Sequence, residues 1–234
     1  MQNRELPFIR EMFDSIAPHY DLLNRLLSLR RDVVWRRKMV CAMPGPGDGP
    51  VLDVACGTGD VALEIYRQKR PGVKVIGIDF SPAMLSHAQS KLGRAGAAGI
   101  ALVAGDALAL PFAEGSFRAL TIAFGIRNIQ DKRGALKAFH RVLAPGGTVL
   151  VLELTTPVRA GLRDAYLAYF QKVLPLIGRL FSRHHFAYSY LPQSVARFPT
   201  ADKFMQQMRE AGFDRVKYLR LTMGIASLFV GRRP

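Results

Sequence analysis

The sequence predicts an α/β domain built on a doubly wound, mostly parallel sheet of seven strands. Five short apolar runs alternate with helical segments between Val51 and Leu154. The runs are apolar throughout, which is typical of strands that helices cover on both faces. Two further strand-like runs flank Thr222, Met223 and Gly224, and we expect them to form a hairpin that closes one edge of the sheet.

Length and composition favour one such domain with an elaboration. The chain has 234 residues, 49% hydrophobic and 22% charged, which excludes a disordered or collagen-like chain. The N-terminus lacks the apolar segment of a secretory signal, and no stretch reaches the ~18 apolar residues of a membrane span. Cys41 and Cys56 cannot form a disulfide framework. We therefore expect a cytoplasmic protein, either soluble or peripheral to the membrane.

The charge balance indicates a polyanionic partner. Lys and Arg number 33 against 18 Asp and Glu, which gives a net charge of +15. A surface this basic suits nucleic acid or an anionic membrane. Composition alone leaves both open, together with a purely solubilising role.

Residues 1–43 are predicted to form a helical cover. Apolar and aromatic side chains recur there at helical spacing, with an interruption expected at Pro18: Phe13, Ile16, Tyr20, Leu23 and Leu27. A second short helix carries Val33, Val34, Met39 and Val40. The turn-rich stretch 44–50 then leads into the predicted core, residues 44–160.

The core alternates strand and helix signals. Strands are predicted over 51–55, 73–78, 100–103, 119–124 and 148–154, with a helix over 60–70. Ser81 and Pro82 form an N-cap and first-turn proline pair, and Asp131 can cap a later helix. Residues 144–147, Ala-Pro-Gly-Gly, are expected to stop that helix before the fifth strand.

The remainder of the chain departs from this alternation. Residues 161–199 are predicted to form a helical lid insertion, with an apolar stretch from Tyr166 to Phe181 followed by basic residues. The basic residues of this segment are Lys172, Arg179, Arg183, His184 and His185. An ordinary helix that covers the core is the alternative. Residues 200–234 are predicted to form a helix over 201–211 and the terminal hairpin.

A glycine-rich turn follows the first strand. Residues 51–60 have the sequence VLDVACGTGD, in which Gly57 and Gly59 let the backbone turn tightly and a ligand approach closely. The dinucleotide fingerprint G-x-G-x-x-G is not met, because Ala62 occupies its third glycine position. Asp53 and Asp60 flank the turn, which suits a cationic ligand better than a pyrophosphate.

Two more carboxylates follow neighbouring strands. Asp79 ends the second strand, where this fold places a carboxylate on ribose hydroxyls, and Asp106 follows the third strand, where it can accept from an adenine amine. Each alone fits a turn or cap residue. Ligands of this fold bind at the carboxyl ends of the strands, where all three sites coincide. The predicted ligand is adenosine with a positive charge and no pyrophosphate, which S-adenosylmethionine fits.

Longer motifs extend the pattern through nearly the whole chain. They include residues 13–21 (FDSIAPHYD), 79–85 (DFSPAML), 105–107 (GDA), 124–128 (FGIRN) and 188–191 (YSYL). With these motifs the chain resembles the ubiquinone/menaquinone biosynthesis C-methyltransferase family, which are class I S-adenosylmethionine-dependent methyltransferases with a Rossmann-like fold. The FGIRN and YSYL elements are the most specific, whereas the glycine loop and the GDA element occur in many methyltransferases.

The resemblance implies a set of cofactor-binding residues. Thr58 and Gly59 would lie at the methionine end, Asp79 at the ribose, and Asp106 with Ala107 at the adenine. The full set is Asp53, Gly57, Thr58, Gly59, Asp79, Phe80, Asp106, Ala107 and Ala123.

Two departures from the family pattern bear on local structure. The family usually has Gly in the segment after Ser28, where this chain has Leu29-Arg30-Arg31. Ala123 stands where many members have a small hydroxyl residue. We expect a changed turn at the first position and one hydrogen bond fewer to the cofactor at the second.

The resemblance also implies C-methylation of a polyprenyl quinol, demethylmenaquinol first and the 2-methoxy-6-polyprenyl-benzoquinol of ubiquinone biosynthesis second. A ring carbon attacks well only in an electron-rich ring, so the reduced quinol is the expected acceptor, and loss of a phenolic proton activates it further. Arg127 and Asn128 would face this ring, with Arg127 stabilising the developing phenolate. Tyr20 and His19 are further polar candidates. The alternative is that Arg127 only forms a structural ion pair with a local carboxylate such as Asp131.

A membrane-borne substrate favours an anionic membrane over nucleic acid as the partner of the basic surface. The sequence leaves open whether the protein forms a homo-oligomer. The alternatives are an RNA methyltransferase and a non-catalytic S-adenosylmethionine-binding protein of a quinone pathway. The sequence speaks against an RNA methyltransferase, because it has neither the Asn/Asp-Pro-Pro-aromatic stretch of enzymes that methylate base nitrogens nor a Cys placed for cytosine methylation. No metal is expected, because His and carboxylates do not converge at ligand spacing.

Overall fold

The computed structural model describes residues 5–45, 49–68, 73–157, 160–169 and 185–234. Seven strands form one sheet in the order β3-β2-β1-β4-β5-β7-β6. They are β1 (Val51–Val54), β2 (Val75–Asp79), β3 (Ile100–Ala104), β4 (Phe117–Ala123), β5 (Leu143–Leu154), β6 (Asp214–Leu221) and β7 (Ala226–Arg232). β1 to β5 pair in parallel, and β7 runs antiparallel between β5 and β6. The predicted doubly wound sheet and its terminal hairpin are confirmed.

Helices connect and cover these strands. They are α1 (Glu5–Ile16), α2 (Tyr20–Leu27), α3 (Arg31–Ala42), α4 (Asp60–Gln68), α5 (Pro82–Arg94), α6 (Lys132–Val142), α7 (Ala160–Ala168), α8 (His185–Arg197) and α9 (Ala201–Glu210). Pro18 lies in a single 3-10 turn between α1 and α2, as expected of a residue that fixes φ and lacks an amide hydrogen.

The sheet separates two apolar cores. Successive side chains of a strand reach opposite faces, so Val149 and Val151 of β5 pack on one core while Leu150 and Leu152 pack on the other. α6 and α9 close the first core, and α3 and α4 close the second. Burial on both faces explains why the strands are apolar throughout.

Both predicted helix caps are present. Ser81 Oγ accepts a hydrogen bond from the Met84 amide at 3.1 Å, and Asp131 accepts one from the Gly134 amide at 2.8 Å. A side-chain oxygen at this position satisfies an amide that the first helical turn leaves unpaired.

The predicted start of the fifth strand at Thr148 is wrong. β5 begins at Leu143, which pairs with Phe117 of β4. The glycines before Thr148 also have backbone partners, since Gly146 N–H donates to Arg233 O at 2.9 Å and Arg233 N–H donates to Gly147 O at 2.8 Å. These partners come from the far end of the chain, so the local Pro-Gly-Gly signal does not reveal them.

The turn after Ser28 forms without glycine. Leu29 and Arg30 adopt left-handed φ values of 50° and 61°, and the Arg30 amide donates to Arg25 O at 2.7 Å. L-residues other than glycine adopt this conformation at a cost of about 1–2 kcal/mol each.

Part of the predicted lid lies outside the described residues. The stretch 170–184, with Lys172, Arg179, Arg183 and His184, is not among them, so the lid and the domain boundaries stay predictions. No helix in the described ranges is both long and apolar enough to cross a membrane.

Candidate active site

Two cavities meet at the carboxyl ends of the parallel strands. One lies over the glycine loop and the ends of β2 and β3, and the other lies between the N-terminal helices, α7, α8 and the β6–β7 turn. Phe13, Tyr20 and Phe124 line both cavities. A ligand in the first cavity and a ligand in the second would therefore meet beside these three side chains.

The first cavity contains most of the predicted cofactor-binding residues. With α1 in place it holds about 80 Å³ of free space. Eight of the predicted residues line it, counting Tyr20 and Asn128 from the catalytic set: Tyr20, Gly57, Asp79, Phe80, Asp106, Ala107, Ala123 and Asn128. Apolar side chains from α1, β2, α5 and the segment after β3 also line the wall, namely Ile9, Ile78, Met84 and Leu108.

Asp79 is fixed by backbone amides. Its Oδ2 accepts from the Gly57 amide at 2.8 Å and its Oδ1 from the Ser81 amide at 2.9 Å. Burial raises the pKa of Asp79, although these amides and that of Phe80 favour the charged form. Each carboxylate oxygen has two lone pairs, so a bound ribose hydroxyl still finds an acceptor there.

Asp106 combines a turn role with a place in the cavity wall. Its Oδ1 accepts a hydrogen bond from the Leu108 amide at 2.9 Å, so Asp106 has the turn role that the sequence analysis gave as the alternative. Asp106 and Ala107 also line the cavity beside the apolar residues. This mixture of carboxylates and apolar surface fits an adenosine group with no pyrophosphate.

Three predicted residues lie outside the walls of both cavities. Thr58 is buried and donates to Asp21 Oδ1 of α2 at 2.6 Å, while Lys91 Nζ donates to the Thr58 hydroxyl at 3.0 Å. Gly59 has φ +80°, and a Cβ there would lie 3.4 Å from Ala88 of α5. Thr58 and Gly59 thus join the glycine loop to α2 and α5 and line neither cavity.

Asp53 is the third predicted cofactor-binding residue that lines neither cavity. It is 1% exposed on β1, and its Oδ1 accepts from the Thr121 hydroxyl at 2.8 Å. Burial raises the pKa of Asp53 to about 7, despite the hydrogen bond from Thr121. Asp53 therefore lies below the cavity floor and titrates near neutral pH.

The second cavity is larger and apolar. Its volume is about 420 Å³, within the usual range for small-molecule sites. Apolar and aromatic side chains dominate its wall: Met12, Phe13, Ile16, Leu23, Leu27, Leu29, Trp35, Phe124, Leu154, Tyr166, Tyr169, Leu191 and Ile225. Arg36 and Arg127 are the two buried cations that line it.

Arg127 is paired with Glu153 instead of Asp131. Its Nη1 lies 2.8 Å from Glu153 Oε1 and also donates to Phe124 O, while its backbone amide donates to Glu153 Oε2 at 3.1 Å. The alternative of a structural ion pair for Arg127 is therefore present, but its partner is Glu153 and not the suggested Asp131, which caps α6. Burial acts to lower the pKa of Arg127, but Glu153 and Tyr20 outweigh it and the pKa is raised, so the guanidinium stays charged.

One hydrogen-bond donor of the Arg127 guanidinium is not used by the described residues. Arg127 Nε is buried and has no hydrogen-bond partner among the described residues. Unpaired buried donors are rare and unfavourable unless a ligand or water satisfies them. Since Arg127 lines the second cavity, a ligand oxygen there could accept this bond.

Tyr20 lines both cavities, and Asn128 lines the first. Burial raises the pKa of Tyr20, while the charge of Arg127 and a hydrogen bond with Asn24 oppose the shift. Asn128 Oδ1 accepts from the Tyr190 hydroxyl at 3.2 Å. The structure thus brings the three predicted catalytic residues together, whereas His19 is exposed and lines neither cavity.

Sequence reasoning did not give Glu153 a role in the site. The residue is 0% exposed near the end of the otherwise apolar strand β5. A carboxylate in such a strand needs a cationic partner, and that signal was available in the sequence. No cluster of three or more metal-ligating side chains is found in the part of the chain that the structure describes.

Comparison with known proteins identifies the family. Residues 1–233 match the model of the ubiE/COQ5 methyltransferase family. The chain belongs to this family. The predicted family and the predicted methyltransferase activity are confirmed.

Two relatives and one solved structure illustrate the similarity. The chain is 49% identical to the ubiquinone/menaquinone biosynthesis C-methyltransferase UbiE of Geobacter sp. (strain M21), over 96% of both chains. It is 47% identical to the demethylmenaquinone methyltransferase of Thermus thermophilus, over 95% of this chain and 100% of that one. The fold resembles that of a SAM-dependent methyltransferase from Thermotoga maritima, with a TM-score of 0.66, 21% identity and coverage of 96% and 99%.

Proposed function

We propose that this methyltransferase transfers the methyl group of S-adenosylmethionine to a ring carbon of a polyprenyl quinol. Demethylmenaquinol is the first proposed acceptor, and the benzoquinol intermediate of ubiquinone biosynthesis is the second. The observation that carries the proposal is the meeting of the two cavities at Phe13, Tyr20 and Phe124, beside the unused donor of Arg127. The names of the two relatives support the same chemistry.

S-adenosylmethionine would occupy the first cavity. Asp79 would accept from the ribose hydroxyls, and Asp106 would accept from the adenine amine between Ala107 and Leu108. When bound, the cofactor supplies an activated methyl group on a positively charged sulfur. The S–C bond would break as the ring carbon bonds the methyl group, S-adenosylhomocysteine would be the leaving group, and the ring would lose its C–H proton to water. Ala123 offers no hydroxyl at the wall, so the cofactor would gain no side-chain hydrogen bond there.

α1 and α2 must move outward before a nucleoside can bind. The free space of about 80 Å³ is well below the usual ligand-site volume of about 300–1,000 Å³. Polar links hold these helices to the glycine loop and to α5: Thr58 of the loop donates to Asp21, Lys91 of α5 pairs with Asp21, and Ser81 Oγ at the start of α5 donates to Asp14. Such a cover excludes water once the cofactor is bound.

The quinol ring would lie beside Tyr20 in the larger cavity, with its reacting carbon facing the first cavity. Proximity of about 3–3.5 Å between carbon and methyl group supplies much of the catalysis. Arg127 would donate to the ring oxygen and stabilise it as a phenolate, since a fixed cation in a buried site favours developing negative charge. Asn128 lies in the turn after β4 and lines the first cavity, so it would reach the ring oxygen only where the two cavities meet.

The apolar wall of the larger cavity suits the prenyl chain. A polyprenyl quinol resides in a bilayer, so the protein would collect it at the membrane, and the net charge of +15 favours an anionic one.

The test is methylation of chemically reduced demethylmenaquinone by the purified protein and S-adenosylmethionine, with product identified by mass. The oxidised quinone and bulk RNA are run in parallel. We expect a methylated product from the reduced form only. Methylated RNA would favour the RNA methyltransferase, and absence of turnover despite cofactor binding would favour the non-catalytic binding protein.

A further inference from the structure

Exposed apolar side chains lie on the elements that form the wall of the larger cavity, namely α2, α3 and the turns after Ser28 and Leu221. Leu29 is 80% exposed and lines the cavity itself. Four others each adjoin a lining residue in the chain, and we call all five the apolar rim: Leu22, Leu26, Leu29, Val34 and Met223. Exposed apolar side chains that occur close together mark an interaction site more often than scattered ones do.

Two turns hold the most exposed members of the rim. Leu29 and Arg30 have φ values of 50° and 61°, and Thr222 and Met223 have φ values of 45° and 55°. The Trp35 indole donates to the Thr222 hydroxyl at 2.9 Å and thereby joins the second turn to α3. Strained backbone persists where surrounding structure fixes it, often at functional surfaces, so these turns present Leu29 and Met223 in fixed positions.

Cations surround the rim. Arg25, Arg30, Arg31, Arg37 and Lys38 lie on or beside α2 and α3 and are half-buried or exposed. The carboxylates of the same helices are engaged elsewhere: Asp21 pairs with Lys91, and Asp32 pairs with Arg36.

Two of the rim cations have weak acidic partners of their own. Arg25 lies 3.7 Å from Asp60, which also binds Lys91 and Arg36, and Arg37 lies 3.6 Å from Glu64. The surface around the rim therefore carries a positive excess, and apolar tips among cations match the boundary between headgroups and acyl chains of an anionic bilayer.

We propose that the apolar rim inserts into an anionic bilayer, so that the larger cavity opens directly toward the acyl chains. Leu22, Leu29 and Met223 would enter the interfacial region while the arginines contact the anionic headgroups. A prenylated substrate would then move from the bilayer into the cavity without crossing water. This inference rests on the proposed function for its substrate, but the binding surface is testable without any substrate.

The test is co-sedimentation of the full chain with vesicles of phosphatidylglycerol and phosphatidylcholine, and with vesicles of phosphatidylcholine alone, in the absence of quinol and cofactor. The variant is the double substitution Leu22→Gln with Met223→Gln, neither of which lines a cavity. The matched control is Leu219→Gln, which is 55% exposed on β6 and has no neighbour in the cavity wall.

We expect the wild type and Leu219→Gln to bind anionic vesicles, with affinity falling as salt rises. The double variant should bind at least about tenfold more weakly, since each inserted side chain contributes through its buried apolar area. Its turnover on a short-chain quinol dispersed without vesicles should stay at the wild-type level, whereas turnover on vesicle-borne quinol should fall.

Equal binding by the double variant and the wild type would overturn the inference, and so would equal binding to neutral vesicles. A wild-type dimer in sedimentation velocity that the double variant loses, with unchanged vesicle binding, would assign the rim to a second copy of the chain. Vesicle binding without methylation of any quinol would contradict the proposed function and leave the membrane surface standing.

Discussion

Arg127 and Glu153 form a buried ion pair at the wall of the larger cavity, with 2.8 Å between Nη1 and Oε1. The Arg127 side chain is 8% exposed and that of Glu153 is 0% exposed. Glu153 also accepts the backbone amides of Arg127 and Leu154, so one carboxylate fixes both the side chain and the turn that carries it. Glu153 is therefore a positioning residue for Arg127.

Glu153→Gln should lower both turnover and stability. The variant leaves the Arg127 charge buried without a counterion, which costs about 3–5 kcal/mol of unfolding free energy. A displaced guanidinium should lower kcat by about 10²-fold with a smaller change in KM for the cofactor. Urea denaturation and steady-state kinetics measure the two effects.

The matched control is Glu210→Gln, whose ion pair with Arg133 at 3.0 Å is exposed. It should change neither quantity appreciably, because exposed ion pairs contribute little. Wild-type kcat in Glu153→Gln would show that Arg127 needs no help to reach its position.

Arg30→Gly should stabilise the fold. Glycine adopts the left-handed φ of 61° without steric penalty. The relief of about 1–2 kcal/mol exceeds the entropy that glycine adds to the unfolded chain, about 0.5–1 kcal/mol, and thermal denaturation would measure the gain. Lys38→Gly, on the exposed surface of α3, should instead destabilise by about 1 kcal/mol. Equal losses in both variants would mean that Arg30 is not strained.

Asp53→Asn should weaken the dependence of stability on pH. The pKa of Asp53 is about 7 in the folded protein and about 3.9 in an unfolded chain, so the folded state binds the extra proton between these values. The unfolding free energy therefore falls as pH rises from about 4 to 7. Asn keeps the acceptor for Thr121 and does not titrate. Urea titrations at pH 5 and pH 8 should show a smaller drop in the variant, and parallel curves would contradict the raised pKa.

Asp14→Ala should speed release of the cofactor. The variant removes the hydrogen bond from Ser81 that holds α1 over the first cavity. Loss of a hydrogen bond to a charged group corresponds to about tenfold in an equilibrium constant. Displacement of labelled S-adenosylmethionine by unlabelled cofactor measures the rate. Glu11→Ala, exposed on the same helix, serves as the control and should release at the wild-type rate.

Local sequence signals predicted most of the fold. Apolar runs, the Ser81 cap and the turn at Thr222 each depend on neighbouring residues, and each was placed correctly. The start of β5 at Leu143 depends on backbone partners near Arg233, which no local pattern reveals.

In the candidate site too, some residues could be predicted from local sequence and others depend on distant parts of the chain. Asp79 and Asp106 follow strands and so could be assigned to one edge of the sheet. The position of Glu153 in an apolar strand indicates a cationic partner, but which cation it meets depends on how β5 pairs with β4, and Asp131 is nearer to Arg127 in the sequence. Thr58 was assigned to the cofactor because it belongs to the glycine loop, and its bond to Asp21 appears only when α2 packs on that loop.

The most direct test of the account is single-turnover methyl transfer by Arg127→Gln, with cofactor binding measured by calorimetry on the same protein. We predict a rate at least about 10²-fold below wild type and an unchanged dissociation constant for S-adenosylmethionine, because Arg127 lines only the substrate cavity. A wild-type rate with intact cofactor binding would contradict the assignment of Arg127 to the developing phenolate.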